Sequence, residues 1–212
     1  GGESGQGGVV GMGKIMIRNA SHRATKSNSK QDDRIFSENC HMQTEYFNLT
    51  KTNHMELAHT MERFSDVLFV FPLYVDGIPV TLLNFLKALE NSPPQHKPVV
   101  SVLINCGFLE PEQNSIAVKL IQLYCRNYGY PIGSVLKIGG GEAILTTPFR
   151  FLVKGKIKKL ARSITSANYR ELRVTMPLPK SIFIKAASTY WENYGKRNGN
   201  NKEDMKTMQI EA

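Results

Sequence analysis

Two short stretches of this 212-residue chain gather the side chains best suited to hold a ligand. The first is Ser21-His22-Arg23-Ala24-Thr25-Lys26-Ser27-Asn28-Ser29, which runs into helical periodicity. Hydroxyls, an amide and two cations at a helix N-terminus can hold a phosphate, because free N–H groups and the helix dipole both favour an anion. The same residues also read as a plain polar loop with Asn28 or Ser29 as N-cap. The second stretch is Pro72-Leu73-Tyr74-Val75-Asp76-Gly77-Ile78-Pro79. Its aromatic, its glycine and its helix-initiating Pro79 can line a flat heterocycle with backbone N–H groups and a ring face. A simple strand-to-helix turn is the competing reading.

Two more loops carry similar signals. Asn105-Cys106-Gly107-Phe108-Leu109 offers a glycine beside an aromatic, and Gly139-Gly140-Gly141-Glu142 removes side chains where a ligand or partner approaches closely. No G-x-G-x-x-G follows the first strand, which disfavours a dinucleotide fingerprint. Cys40, Cys106 and Cys125 form no C-x-x-C pair and no metal spacing with histidine. They suit reduced, buried thiols and a cytoplasmic protein. His22, His41, His54, His59 and His96 lie scattered as surface residues. No acid, base, nucleophile or metal ligand stands out.

The elements that position these loops alternate along the chain. Lys14–Asn19, Thr44–Leu49, Asp66–Phe71, Pro98–Asn105 and Ser134–Ile138 read as strands. Asp66–Phe71 is a continuous apolar run, as expected of a strand covered on both faces. Helical stripes separate them: Ile35 and Phe36 within Asn28–Asn39; Leu57, Ala58 and Met61 within His54–Arg63; Leu82, Phe85, Leu86 and Leu89 after Pro79; and Ala117, Val118, Ile121, Tyr124, Cys125 and Tyr128 before Gly129. Strands alternating with helices require parallel pairing through crossovers. The expected fold is therefore α/β: a three-layer, doubly wound, five-stranded parallel sheet in the order 2-1-3-4-5. Ligands bind in such sheets beyond the carboxyl ends of the strands, where all four loops fall.

The loops together resemble the flavodoxin-like NAD(P)H-dependent FMN reductases. Asn19-Ala20-Ser21-His22-Arg23 followed by Ser27-Asn28-Ser29 is similar to that family's N-G-S-P-R…G-N-T/S phosphate loop, with Ala20 in place of the glycine and His22 in place of the proline. Pro72, Tyr74 and Pro79, with Asn84-Phe85-Leu86 in the next helix, resemble its P-x-Y-x-x-x-x-P segment. The likeness runs from about Lys14 to Ser166. It implies that Ser21, Arg23, Ser27, Asn28 and Ser29 hold the phosphate of FMN. Pro72, Leu73, Tyr74 and Val75 would then line the isoalloxazine, with Asn105, Cys106, Gly107 and Phe108 on its far side. It further implies a hydride passed from NAD(P)H through FMN to an acceptor that the sequence does not identify. A flavin-bearing electron carrier and a flavin-free interaction module are the alternatives.

Charge bears on that choice. Twenty-seven lysines and arginines against eighteen acids leave a net charge of +9. Eight of the cations fall between Arg150 and Arg173, against Glu171 alone. Val153, Ile157, Leu160, Ala161 and Ile164 give this stretch a buried helical stripe, so the lysines read as its wet face. Contact with nucleic acid or an anionic membrane is the alternative for that face. Residues 1–13 read as a linker or cloning remnant, 14–173 as the FMN-binding domain, and 174–212 as a helical extension. The extension's helix, from Ser181 to about Lys196, carries Phe183, Ala187, Tyr190, Trp191 and Tyr194. These suit either packing on its own core or a homodimer.

Overall fold

The computed structural model describes residues 13–20, 28–73 and 77–197. The chain divides into two compact units, Gly1–Thr175 and Met176–Ala212. In the first unit the order is β1 (Lys14–Asn19), α1 (Asn28–Asn39), β2 (Gln43–Asn48), α2 (His54–Thr60), β3 (Asp66–Pro72), α3 (Val80–Asn91), β4 (Val99–Asn105), α4 (Ser115–Tyr128), β5 (Ile132–Ile138), α5 (Gly141–Thr146), α6 (Arg150–Thr165) and β6 (Glu171–Val174). A 3-10 turn, Met61–Arg63, extends α2, and another, Pro111–Asn114, leads into α4. The second unit contains α7 (Lys180–Arg197).

All sheet pairings are parallel and the order is β2-β1-β3-β4-β5-β6. The sheet therefore has six strands where five were expected, with the first five in the expected order. The sequence hides β6 because Glu-Leu-Arg-Val has no apolar run, and only its Val174 is buried. A short edge strand that carries charge is also a common protection against edge-to-edge pairing. The short helix α5 was not expected either. Tyr128 is 39% exposed rather than part of the buried stripe of α4.

Two apolar layers clamp the sheet. Alternate strand residues point to opposite faces. Met16, Val67, Phe69, Phe71, Val100, Val102 and Ile104 pack with Leu57, Leu82, Phe85, Leu86, Val118 and Ile121 of α2, α3 and α4. Phe69 and Phe85 meet edge to face with centroids 6.1 Å apart, a geometry worth about 0.5–1.5 kcal/mol beyond area burial. The other face carries Ile15, Ile17, Leu68, Val70, Leu103 and Leu136, all buried, towards the layer of α1 and α6. Pro79 sits just outside α3 as its N-cap residue, with φ −57° and ψ 140°. Gly129 ends α4 in a left-handed turn, φ 71°, which a side chain would strain.

Candidate ligand site at the carboxyl edge

Strand register brings the loops to one level. Asn19 pairs with Val70, Pro72 with Asn105, Asn105 with Ile138, and Ile138 with Val174. Main-chain bonds then carry the pairing one residue past the strands. Leu73 N–H donates to Asn105 O at 2.7 Å, Cys106 N–H to Ile138 O at 3.0 Å, and Gly139 N–H to Val174 O at 2.9 Å. The loops after β3, β4 and β5 thus leave one ridge side by side.

The loop after β4 is the best-defined part of that ridge. Gly107 and Phe108 are exposed, Phe108 by 53%. A Cβ placed on Gly107 would meet nothing within 4 Å. The N–H groups of Gly107 and Phe108 have no partner among the described residues. Gly140 and Gly141 brace this loop from behind: Gly140 N–H donates to Phe108 O at 2.6 Å. Gly141, at φ 52°, comes so close that a Cβ there would stand 3.0 Å from the Gly107 Cα. The glycine run after β5 therefore serves a close backbone approach, and the open face belongs to the β4 loop. Two N–H donors without partners among the described residues, in a loop with open space at Gly107, can donate to a ligand's carbonyl oxygens, which is the chemistry a flat ring edged with carbonyls would meet.

The other residues expected at the site are placed unequally. Asn105 and Pro72 are half-buried at the ridge. Leu73 turns its side chain into the core, leaving its main chain at the edge. Cys106 does the same. Its thiol lies within 3.6 Å of the carbonyls of both Phe108 and Glu110, and burial pushes it above the usual thiol range, against reactivity. Asn28 and Ser29 stand in the first turn of α1. Ser21, Arg23, Ser27, Tyr74 and Val75 lie outside the described residues, as does residue 76. Gly77, directly after them, forms an isolated β-bridge.

Sequence reasoning missed the charged residues buried around the end of β1. Arg18 is fully buried; its Nη2 donates to Leu57 O at 2.7 Å. The guanidinium lies 5.2 Å from the Phe47 ring centroid and 4.8 Å from that of Phe85, while Nε and Nη1 have no partner among the described residues. Burial lowers its pKa to about 9. On the other side of the strand, Asn19 Nδ2 donates to Asp33 Oδ2 at 2.7 Å. Burial raises the Asp33 carboxyl to about 7, with the Asn19 bond pulling the other way. Asp32 is fully buried with both oxygens unpartnered among the described residues, and burial together with neighbouring Asp33 raises it well above the usual carboxylate range. The readable signals were an arginine inside the apolar run Lys14–Asn19 and an Asp-Asp pair one turn ahead of Ile35 and Phe36.

Elsewhere, an open hollow of about 460 Å³ is lined by Leu89, Lys97, Tyr128 and Tyr130 among others. It lies at the C-terminal ends of α3 and α4, hence at the amino edge, away from the four loops. Lys97 Nζ donates to Tyr128 O at 2.6 Å and lies 5.6 Å from the Tyr130 ring centroid, so its cation serves the fold. Among the described residues no three His, Cys, Asp or Glu side chains are grouped to hold a metal ion. No described helix is long and apolar enough to cross a membrane.

The chain matches no family model and no curated protein sequence. Its likeness is to solved structures. The rubredoxin oxygen:oxidoreductase of Desulfovibrio gigas superposes with a TM-score of 0.56 at 13% identity, over 73% of this chain and 35% of that one. This chain thus spans about a third of that protein. A flavodoxin of Streptococcus pneumonia TIGR4 gives 0.55 at 11% identity, over 73% of this chain and 99% of the flavodoxin. An FMN-dependent NADH-azoreductase from Bacillus anthracis str. Ames Ancestor, solved in complex with FMN, gives 0.56 at 15% identity, over 72% and 99% of the two chains. At such identities the likeness is one of fold, and the fold is flavodoxin-like α/β with a sixth strand.

Proposed function

We propose that residues 14–173 bind FMN across the loops after β1, β3 and β4, and that the protein is an NAD(P)H-dependent oxidoreductase. The observation that carries this reading is the open backbone at Gly107 and Phe108, with two N–H groups that have no partner among the described residues, at the carboxyl edge of a flavodoxin-like sheet. Ser21, Arg23, Ser27, Asn28 and Ser29 would hold the phosphate through hydroxyls, a cation and the N-terminal N–H groups of α1. Pro72, Leu73, Tyr74 and Val75 would border one side of the ring, and Asn105, Cys106, Gly107 and Phe108 the other. Leu73 and Cys106 would act through their main chains, since their side chains are buried. When bound, FMN supplies the redox chemistry, taking a hydride equivalent from NAD(P)H and returning electrons to an acceptor. The protein's share is to bind and orient, which agrees with the lack of a clustered acid–base pair in the sequence.

Reconstitution with FMN followed by anaerobic addition of NADH or NADPH tests the proposal. A yellow protein bleached by the nicotinamide nucleotide is expected. Gly107→Leu sharpens it: the new side chain meets no protein atom at its Cβ, so the fold should survive while the ring loses its space. FMN affinity should fall by at least about tenfold, roughly 1.4 kcal/mol, at an unchanged melting temperature. Unaltered affinity in that variant would put the ring elsewhere.

A further inference from the structure

Helix α6 carries more positive charge than its place in the fold explains. Arg150, Lys154, Lys156, Lys158, Lys159 and Arg162 stand on it with no acidic residue, and none stands anywhere between Glu142 and Glu171. The apolar stripe Val153, Ile157, Leu160, Ala161 and Ile164 is buried, so the helix is fully docked. Phe151, Lys158 and Arg162 follow one line along the outer surface (i, i+7, i+11), with Lys154 and Lys159 flanking it. All five are exposed, Phe151 by 65%. The ion pairs among the described residues use Lys14, Arg34, Lys137 and Arg173, and none of the six cations of α6.

Two features separate this face from an ordinary solvated one. Arg150 opens the helix and Lys154 follows one turn later, with no acid in the first turn to offset the positive end of the helix dipole. Charge is thus added where the dipole already repels it, which costs stability unless an anion is met there. Second, a large aromatic stands in the line of cations instead of in the core. Because β5 and β6 are parallel, the helix between them runs antiparallel to the strands, and its first turn with Phe151 lies at the carboxyl edge.

We propose that the outer face of α6 docks on an anionic lipid surface, with Phe151 entering the headgroup region and Lys154, Lys158, Lys159 and Arg162 facing the negative charge. Lysine-rich point charges in a plane suit a diffuse anionic sheet, where no bidentate geometry is needed. An aromatic among them gains from the apolar boundary beneath the headgroups. Nucleic acid, the other polyanion, is read with forked arginines or in grooves lined by stacking rings. Four of the six cations here are lysines and the helix surface is convex. The inference does not depend on the flavin reading, but it would bring the carboxyl edge close to the membrane.

Flotation of the full chain with vesicles of about 30% phosphatidylserine in phosphatidylcholine, at about 0.1 M salt, tests this. Binding is expected to those vesicles, not to phosphatidylcholine alone, and to vanish near about 0.5 M salt. Lys154→Glu/Lys158→Glu/Arg162→Glu should lower partitioning at least about tenfold, with circular dichroism unchanged because these side chains are exposed. Phe151→Ser should lower it about threefold or more and leave the salt dependence alone. Failure to float with the anionic vesicles, or equal flotation of the charge-reversed variant, would overturn the proposal. Duplex DNA that strips the protein from vesicles at equal charge concentration would overturn it too, and give the face to nucleic acid.

Discussion

Arg18 and Asn19 are neighbours on β1, yet they open onto opposite layers of the protein with opposite kinds of buried charge. On the α2/α3 side a guanidinium lies between two aromatic rings and donates to the Leu57 carbonyl. On the α1 side Asp32 and Asp33 are buried, and among the described side chains only Asn19 is bonded to either. The difference teaches how a charge survives burial. Ring faces and a carbonyl can hold a cation, and with a pKa of about 9 Arg18 stays charged at neutral pH. A carboxylate without donors or a cation takes up a proton instead, which is why burial raises both acids.

The largest expected effect breaks the acid side. Asp33 is raised in the fold from its ordinary 3.8 to about 7, so the native state binds more protons than the unfolded chain across that interval. Its contribution is fully present below about pH 4 and is lost as pH rises towards 7, in addition to the loss that the raised Asp32 brings. Asp33→Asn should therefore gain on the order of 2–4 kcal/mol at pH 8 and make the slope shallower, leaving the share that belongs to Asp32. Urea unfolding from pH 5 to pH 8 measures both. The cation side should respond less. Replacing an unpaired buried charge by an apolar side chain of similar length spares its desolvation, and Leu57 O keeps a partner in the Met61 N–H. Arg18→Met should gain about 1–2 kcal/mol at pH 7. The sign of its pH dependence is opposite: with the folded pKa lowered to about 9, wild-type stability rises from pH 9 upward, and the variant should lack this rise.

Two smaller effects sharpen the comparison. Gly155 lies exposed inside α6, away from both buried charges, and a Cβ there meets nothing within 4 Å. Gly155→Ala should gain about 0.5–1 kcal/mol by helix propensity, with no change in pH profile. If the two sides of β1 act independently, Asp33→Asn and Arg18→Met should add to within about 0.5 kcal/mol in the double variant. A larger coupling would show that the cation and the acids feel each other through the strand.

Much of the fold was legible because apolar runs and helical stripes dominate it. Asp66–Phe71 announces a central strand, and Pro79 and Gly129 mark helix ends at their observed positions. β6 was not legible, since its pairing comes from main-chain bonds to β5 while its side chains are mostly polar. At the site, the glycine and aromatic of the β4 loop could be read from residue type, but the inward turn of Cys106 and Leu73 could not. Whether a side chain lines a ligand or enters the core depends on loop paths that pattern does not encode. The buried Arg18, Asp32 and Asp33 went unread for a related reason: periodicity places them, but their burial contradicts the ordinary behaviour of charged residues.

The central claim concerns the carboxyl edge. It is tested most directly by titrating FMN fluorescence with the purified chain, beside Gly107→Leu at the same melting temperature. Saturable quenching at one FMN per chain, weakened at least about tenfold in the variant, is expected. No quenching by the wild-type chain, or equal quenching by both, would contradict the account.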